Sequence, residues 1–401
     1  MIEYRDALRE ILARATRLGA ESVPLFEADG RTLAADVRAG EPVPPFAKAT
    51  MDGYAVRAAD TRPAAGADNA ILAVIEDLPA GRTSRKAIGP GQAVRIMTGA
   101  PLPKGSDSVV MVEDTEKAGT KVLLHGPVSP GDNIGLAGED LGKGDLVLEK
   151  GRLIGPAEIG ILAAAGKASV RVARRPRLAV IATGDEIVEP GERLGRGQIR
   201  NANGFALSAL AAQAGTLAAY LGIARDNTAS LKKAFKKAES ADILVLSGGV
   251  SVGDYDLVRE ELIAGGVRPV FWRVRIKPGK PTFFGTRGKR LVFGLPGNPT
   301  SAMVTFHLFV RPAIDRMLGR TETGLRPGTA VLEEEIVLDP GRTQFLRAVL
   351  SADGPELRVN PFPDQRSGVL RSMVRSRALI VVPAETGRLE KGQPVDILHI
   401  E

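Results

Sequence analysis

Four loops rich in glycine and proline hold the residues best suited to chemistry. They are Thr183-Gly184-Asp185-Glu186, the stretch Ser247 to Asp256 (SGGVSVGDYD), Lys277-Pro278-Gly279-Lys280 and Pro296-Gly297-Asn298-Pro299. The second combines glycines fit for a phosphate with carboxylates that repel one. Gly248 and Gly253 keep the G-x-x-x-x-G spacing of a P-loop, but Asp254 and Tyr255 stand where such a loop carries lysine and a hydroxyl residue. Nucleoside triphosphate hydrolysis is therefore not expected. Gly248, Gly249 and Gly253 still let backbone N–H groups approach phosphate oxygens, and Ser251 adds a hydroxyl donor. Lys277 and Lys280 flank a Pro-Gly turn and supply the cations that the glycine loop lacks. Asp254 and Asp256 make sense beside phosphate when a divalent cation lies between, with Glu186 and Asp226 (in GIARDN) completing or neighbouring that site. Taken alone, SGGVSVGD is equally well a tight turn capped by aspartates. Four such loops on one sheet edge favour a ligand site.

One unit must bring these loops to a common edge. LAVIAT, LAAYLGI, DILVLSG, VFWRVRI and LVFGLPG read as strands, alternating with amphipathic segments such as GFALSALAAQAG, TASLKKAFKKAES and DYDLVREELIAGG. That grammar predicts parallel strands with helices on both faces and a ligand outside their carboxyl ends. Upstream, residues 4–18 place Tyr4, Leu8, Ile11, Leu12, Ala15 and Leu18 on one helical face. From about Glu41, AILAVIEDL, QAVRIMTGA and DSVVMVED read as strands of a mostly β unit. LIGPAEIGILAAAG reads as a helix with Pro156 in its first turn. Downstream, AVLEEEIVL, QFLRAVL, LRVNPF, ALIVVPA and PVDILHI form a small C-terminal β-barrel or sandwich.

Composition narrows the chemistry. At 401 residues the chain holds two to four compact units. Cysteine is absent, which removes disulfides, thiolate metal sites and a cysteine nucleophile. His125, His307 and His399 match no metal motif, so any metal is expected to be a hard cation held by oxygen, namely magnesium. The net charge of +7 includes the clusters RVARRPR and KKAFKK, which read as solvated faces. Aromatics at 4% and no recognisable module argue against nucleic acid, and a small anion accounts for the surplus equally well. No apolar run is long enough for a membrane helix, and the charged N-terminus is no secretory signal, so a cytoplasmic protein is expected. Asp52 in TMDGYA, Thr98 in MTGAP and the acidic pair of GEDLGKGD read singly as turn residues. Arg347 in QFLRAVL reads by default as a surface arginine on a strand, and Ser367 lies in DQRSGVL.

MDGYAV, MTGAPLP, GEDL, TGDE, SGGVSVGDYD, IKPGKP and LPGNP occur in this order along essentially the whole chain. The ordered set resembles the molybdopterin molybdenumtransferase family, which includes MoeA and the gephyrin E domain. The resemblance implies an α/β and β multidomain fold. Residues 1–45 with 141–172 would form a discontinuous helical and linking domain I, and 46–140 an inserted, mostly β domain II. Residues 173–322 would form a doubly wound, MogA-like, molybdopterin-binding domain III, and 323–401 a C-terminal β-barrel, domain IV. It implies an elongated homodimer that takes adenylylated molybdopterin and molybdate, cleaves the adenylate with magnesium, releases AMP and leaves molybdenum on the dithiolene. Asp52, Thr98, Asp140, Glu186, Asp226 and Asp256 match the family's sensitive acidic and polar positions, with Glu186, Asp226 and Asp256 as the magnesium set. Lys277, Lys280, Arg347 and Ser367 match residues associated with molybdate. Gly184, Ser247, Gly248, Gly249, Ser251, Gly253, Pro296, Gly297 and Asn298 complete the substrate loops. The cleft would join domain III of one subunit to domain II of the other, so that Asp52 and Asp256 act across the interface.

Two positions depart from the family's habit. Ala202 stands where a small hydroxyl residue is common, and Lys48 where a polar uncharged or acidic residue is usual. Either aspartate of GDYD aligns with the functional one. The rivals are a MogA-like adenylyltransferase, with which a transient contact is also expected, and a gephyrin-like scaffold without catalysis. The flanking β units and the MDGYA segment argue against the first, since that family is a single domain. The carboxylates beside glycine loops argue against the second.

Overall fold

The computed structural model describes residues 1–63, 68–249, 257–353 and 356–400. The N-terminal pattern folds as the helix Tyr4–Arg14, which ends where Ala15 turns to extended backbone. Its buried Ala7 and Ile11 join the core of the central unit, and the Tyr4 ring lies 5.8 Å from Phe309 and 5.0 Å from Phe345. Ala20–Pro24 pairs antiparallel with Ser169–Ala173, and Val37–Arg38 with Leu146–Leu148. The segments on either side of the first β unit thus fold together. With them packs the helix Pro156–Ala164, which opens with proline and is capped by Glu158 accepting the Gly155 N–H at 3.0 Å. Between them lies a six-stranded sheet in the order Ser108–Met111, Gly53–Val56, Gln92–Ile96, Ala70–Leu78, Lys121–Leu124, Thr115–Ala118.

The central unit is built on strands β1 (Arg177–Thr183), β2 (Leu217–Ala224), β3 (Ile243–Ser247), β4 (Arg268–Trp272), β5 (Phe283–Arg287) and β6 (Arg290–Leu295). Their order is β2-β1-β3-β6-β5-β4. Its helices are α1 (Asn203–Gln213), α2 (Thr228–Lys237), α3 (Leu257–Ala264), α4 (Pro299–Thr305) and α5 (Arg311–Leu318). Side chains of β1 alternate faces, as the strand period requires. Leu178 and Val180 pack with α1, α4 and α5, while Ala179 and Ile181 pack with α2 and α3. The sheet is therefore covered on both sides.

Two features differ from a purely parallel expectation. Residues 283–295 form a β-hairpin through Gly288-Lys289, with Gly288 at φ +60°, so β5 runs antiparallel to both its neighbours. The run VFWRVRI is not one strand: β4 ends at Trp272, and Ile276–Lys277 instead pairs in parallel with Thr343 and Gln344 of the C-terminal unit.

That unit closes into a barrel. Thr343–Asp353 pairs with Glu356–Pro361, which pairs with Pro327–Leu332, then Pro394–His399, then Ala378–Val382, which returns to Thr343–Asp353. Closure leaves no free edge in this ring. No helix among the described residues is long and apolar enough to cross a membrane.

Candidate functional site

The register of the parallel strands brings the expected loops to one edge. Thr183 stands beside Ala224, and Ser247 beside both Ala182 and Leu295. The chain then turns through glycines at positive φ. Gly248 (φ +95°) approaches so closely that a Cβ would lie 2.5 Å from the Thr183 carbonyl oxygen. Gly249 (φ +65°) would place one 2.3 Å from Val258. Only glycine tolerates both the conformation and the crowding. Ser251, Gly253, Asp254 and Asp256 lie outside the described residues. Asn203, at the start of α1, ties two of these loops together: its Nδ2 donates to Ser247 Oγ at 2.8 Å and to the Gly297 carbonyl at 2.7 Å. Pro296 is buried, whereas Gly297 and Asn298 are exposed.

The two lysines reach the same edge. β4 and β5 pair Trp272 with Phe283, which is itself opposite Gly294 of β6, so the segment between them leaves at the carboxyl end of β6. It is tied as a hairpin by Arg273 N–H to Thr282 O and Val274 N–H to Lys280 O, both 3.0 Å. Gly279 (φ +108°) packs against Thr305 of α4, the helix that Asn298 precedes. Lys277 and Lys280 are exposed at its tip.

Acidic groups gather at the neighbouring strand ends. The Asp226 N–H donates to Asp185 Oδ1 at 3.2 Å. Partial burial, then the charges of Asp185 and Glu186, push the Asp226 carboxyl above its usual range, which Arg225 offsets only in part. Arg225 is occupied elsewhere, donating to the carbonyls of Asp185 at 2.8 Å and Ile187 at 3.0 Å. Gly184 (φ +142°) permits this clustering, since a Cβ there would sit 2.5 Å from the Glu186 carboxylate. Among the described residues no three histidine, aspartate or glutamate side chains make a complete metal-ligand set. Magnesium does not need one, because it is commonly held by one or two carboxylates together with water and substrate phosphate. A carboxyl such as Asp226, pushed up by burial and by two neighbouring acidic groups, is the donor chemistry such an ion relieves.

The barrel closes the rim from the side. Asn298 Nδ2 donates to Ser367 Oγ at 2.8 Å, and the Ser367 carbonyl accepts from Thr300 N at 3.2 Å and Thr300 Oγ1 at 2.6 Å. Arg347 is no surface arginine: it is fully buried. Its Nε donates to Ser372 Oγ at 2.6 Å, and its Nη2 to the carbonyls of Asp364 at 3.0 Å and Arg366 at 3.3 Å. Its Nη1 is buried with no partner among the described residues. Burial lowers its pKa, and Asp364 counters.

Residues 2–166 match the MoeA N-terminal region (domain I and II), 179–316 a probable molybdopterin binding domain, and 329–400 the MoeA C-terminal region (domain IV). Molybdopterin molybdenumtransferases of Staphylococcus aureus and Staphylococcus epidermidis are each 34% identical over 401 residues, covering all of this chain and 96% of theirs. Two crystal structures of molybdopterin biosynthesis MoeA proteins from Pyrococcus horikoshii are also similar. One is 35% identical with a TM-score of 0.84, covering all of this chain and 99% of that one. The other is 32% identical with a TM-score of 0.85, covering both chains fully. The chain belongs to the molybdopterin molybdenumtransferase family.

Three of the positions matched to that family stand apart from the rim. Asp52 precedes Gly53, where a Cβ would fall 1.9 Å from the Val110 carbonyl oxygen, so the close strand approach fixes the turn. Asp52 Oδ1 accepts from Thr98 N at 2.7 Å and Thr98 Oγ1 at 2.6 Å, which holds its carboxyl below the usual range. Asp140 is exposed, its N–H bonded to the Val43 carbonyl at 3.1 Å. No hydrogen bond or ion pair among the described residues links Asp52, Thr98 or Asp140 to the rim. Sequence reasoning gave Asn203 no role, and Asp185 none beyond its place in the TGDE loop. The adjacent carboxylate in TGDE was a signal for Asp185, whereas no motif marked Asn203.

Proposed function

We propose that this transferase inserts molybdate into adenylylated molybdopterin, with magnesium-dependent cleavage of the adenylate and release of AMP. The observation that carries this reading is the meeting on one sheet edge of two exposed lysines, a glycine-lined turn and mutually repelling carboxylates. Lys277 and Lys280 are suited to a tetrahedral dianion, for which ammonium groups are natural donors. The buried, unpartnered Nη1 of Arg347 and the hydroxyl of Ser367 would add donors from the barrel side. Gly248 and Gly249 let backbone N–H groups approach the phosphate, and Asn203 holds Ser247 and Gly297 at a fixed spacing around it. Glu186 and Asp226, with Asp256 from beyond the described residues, would hold magnesium. When bound, that ion polarises the phosphoryl group and stabilises the leaving phosphate.

The same reading assigns the first 172 residues to domains I and II as in the family, 173–322 to the substrate-binding domain and 323–401 to the barrel. The working form is a cytoplasmic homodimer in which Asp52, Thr98 and Asp140 face the rim of the second copy, with transient contact to the adenylyltransferase that makes its substrate. Purified protein mixed with adenylylated molybdopterin, molybdate and magnesium should release AMP only when molybdate is present. AMP release that ignores molybdate, or none at all, removes the proposed reaction.

A further inference from the structure

A second concentration of charge lies at the opposite edge of the central sheet. There a cavity of about 470 Å³ opens between the end of the N-terminal segment (Thr16–Gly19), the entries to β1 and β3, and the β5–β6 turn. It lies one strand length from the rim, roughly 20 Å at the usual rise per residue. Five cationic side chains line it against two carboxylates. Both carboxylates are already committed. Asp242 takes two bonds from Arg174 at 3.0 Å each and a third from the Arg177 N–H at 2.8 Å, while Glu239 pairs with Arg287 at 3.2 Å.

Three cations are left over. Arg290 bonds no carboxylate among the described residues and donates to the carbonyls of Ala241, at 2.9 Å, and Glu239; burial lowers its pKa, and Arg287 adds to this against the opposing charges of Glu239 and Asp242. Arg17 and Lys289 have no carboxylate partner among the described residues. Each is anchored at its backbone or stem. The Arg17 stem runs along Gly319, which ends α5 in the left-handed conformation, so its charge sits at a helix C-terminus. Lys289 occupies the two-residue turn fixed by Gly288. Leu18, Ala241 and Met317 give the cavity an apolar side.

We propose that this cavity is a separate binding site for a small phosphate-bearing anion. Arg17, Lys289 and Arg290 meet the phosphate, and the Leu18–Met317 side accommodates whatever group carries it. Surplus arginine and lysine in one concavity suit a ligand of charge −2 or more better than a single carboxylate.

Calorimetric titration of the full-length protein at low salt tests this, using inorganic pyrophosphate and, separately, AMP. Three proteins are compared: wild type, Arg17→Ala/Lys289→Ala, and the rim variant Lys277→Ala/Lys280→Ala. The exposed Arg17/Lys289 pair should be removable without unfolding. The expected result is a binding event that weakens about tenfold or more in Arg17→Ala/Lys289→Ala and persists in the rim variant. Tighter binding of AMP identifies a nucleotide as the ligand, and tighter pyrophosphate an inorganic polyanion. The proposal is overturned by absence of binding in wild type, by equal affinity in Arg17→Ala/Lys289→Ala, or by complete loss in the rim variant.

Discussion

His307 should make this fold acid-sensitive through the helix that carries the rim. It lies in the π-helical turn Phe306–Val310, directly after α4, and only 5% of it is exposed. Neither Nδ1 nor Nε2 has a partner among the described residues, and burial, assisted by the charge of Arg311, lowers its pKa to about 4. In the unfolded chain the ring titrates near its ordinary 6.5. Between those values the unfolded state binds the proton and the folded state does not, so stability rises with pH. His307's contribution is complete above the unfolded value and lost as pH falls towards 4. A shift of this size is worth about 3 kcal/mol between pH 7 and pH 4. His307→Leu removes both the titration and two unpartnered polar atoms, so at pH 7 it should be at least as stable as wild type. The assay is urea denaturation of both proteins from pH 4 to pH 8. Acid effects of the carboxylates are common to the two and cancel in the difference. Wild type should lose about 3 kcal/mol more than the variant on acidification. Parallel profiles, or a histidine resonance assigned to His307 that titrates near 6.5, would refute the buried neutral ring.

Asp226→Asn and Glu186→Ala should each lower AMP release by about 100-fold or more while leaving the melting transition in place, since they alter charge at the rim and not packing; activity within a few-fold of wild type removes their assigned role. Arg347→Met should destabilise by about 2 kcal/mol or more in urea denaturation, because the carbonyls of Asp364 and Arg366 lose a buried donor; unchanged stability contradicts the anchoring geometry. Neither Asp52→Ala nor Asp226→Ala protein should turn over alone, but co-refolded mixtures should recover about a quarter of wild-type activity through mixed dimers with one intact cleft; no recovery rules out a cleft shared between copies.

The loops were legible in the sequence because their glycines punctuate a strong strand–helix alternation, and open α/β sheets collect such loops at one edge. Other features were hidden for identifiable reasons. The segment FFGTRGKRLVF contains two strands, but its first is only Phe283–Arg287, and a short apolar run beside proline carries little periodicity. Asn203 was unremarkable because its importance comes from Ser247 and Gly297, both more than 40 residues away in sequence. Arg347 defaulted to the surface because one arginine in a strand does not announce the carbonyls that turn back upon it. Its burial depends on the loop 362–367 folding over the barrel.

The split of VFWRVRI is the most consequential of these. Lys277 belongs by sequence to the central unit, yet its backbone pairs with Gln344 of the barrel, on the strand that also carries Arg347. Arg347 fixes the carbonyls of Asp364 and Arg366, and the next residue, Ser367, bonds Asn298 and Thr300 at the start of α4. The barrel therefore meets the rim twice, once behind the lysine hairpin and once beside the helix start. Both contacts use the backbone or short side chains, which leave little slack. A barrel that merely hung from the central unit would leave Lys277 and Asn298 free to move independently. Here one strand couples the two, through Gln344 paired with Lys277 and through Arg347 holding the loop whose next residue, Ser367, bonds Asn298.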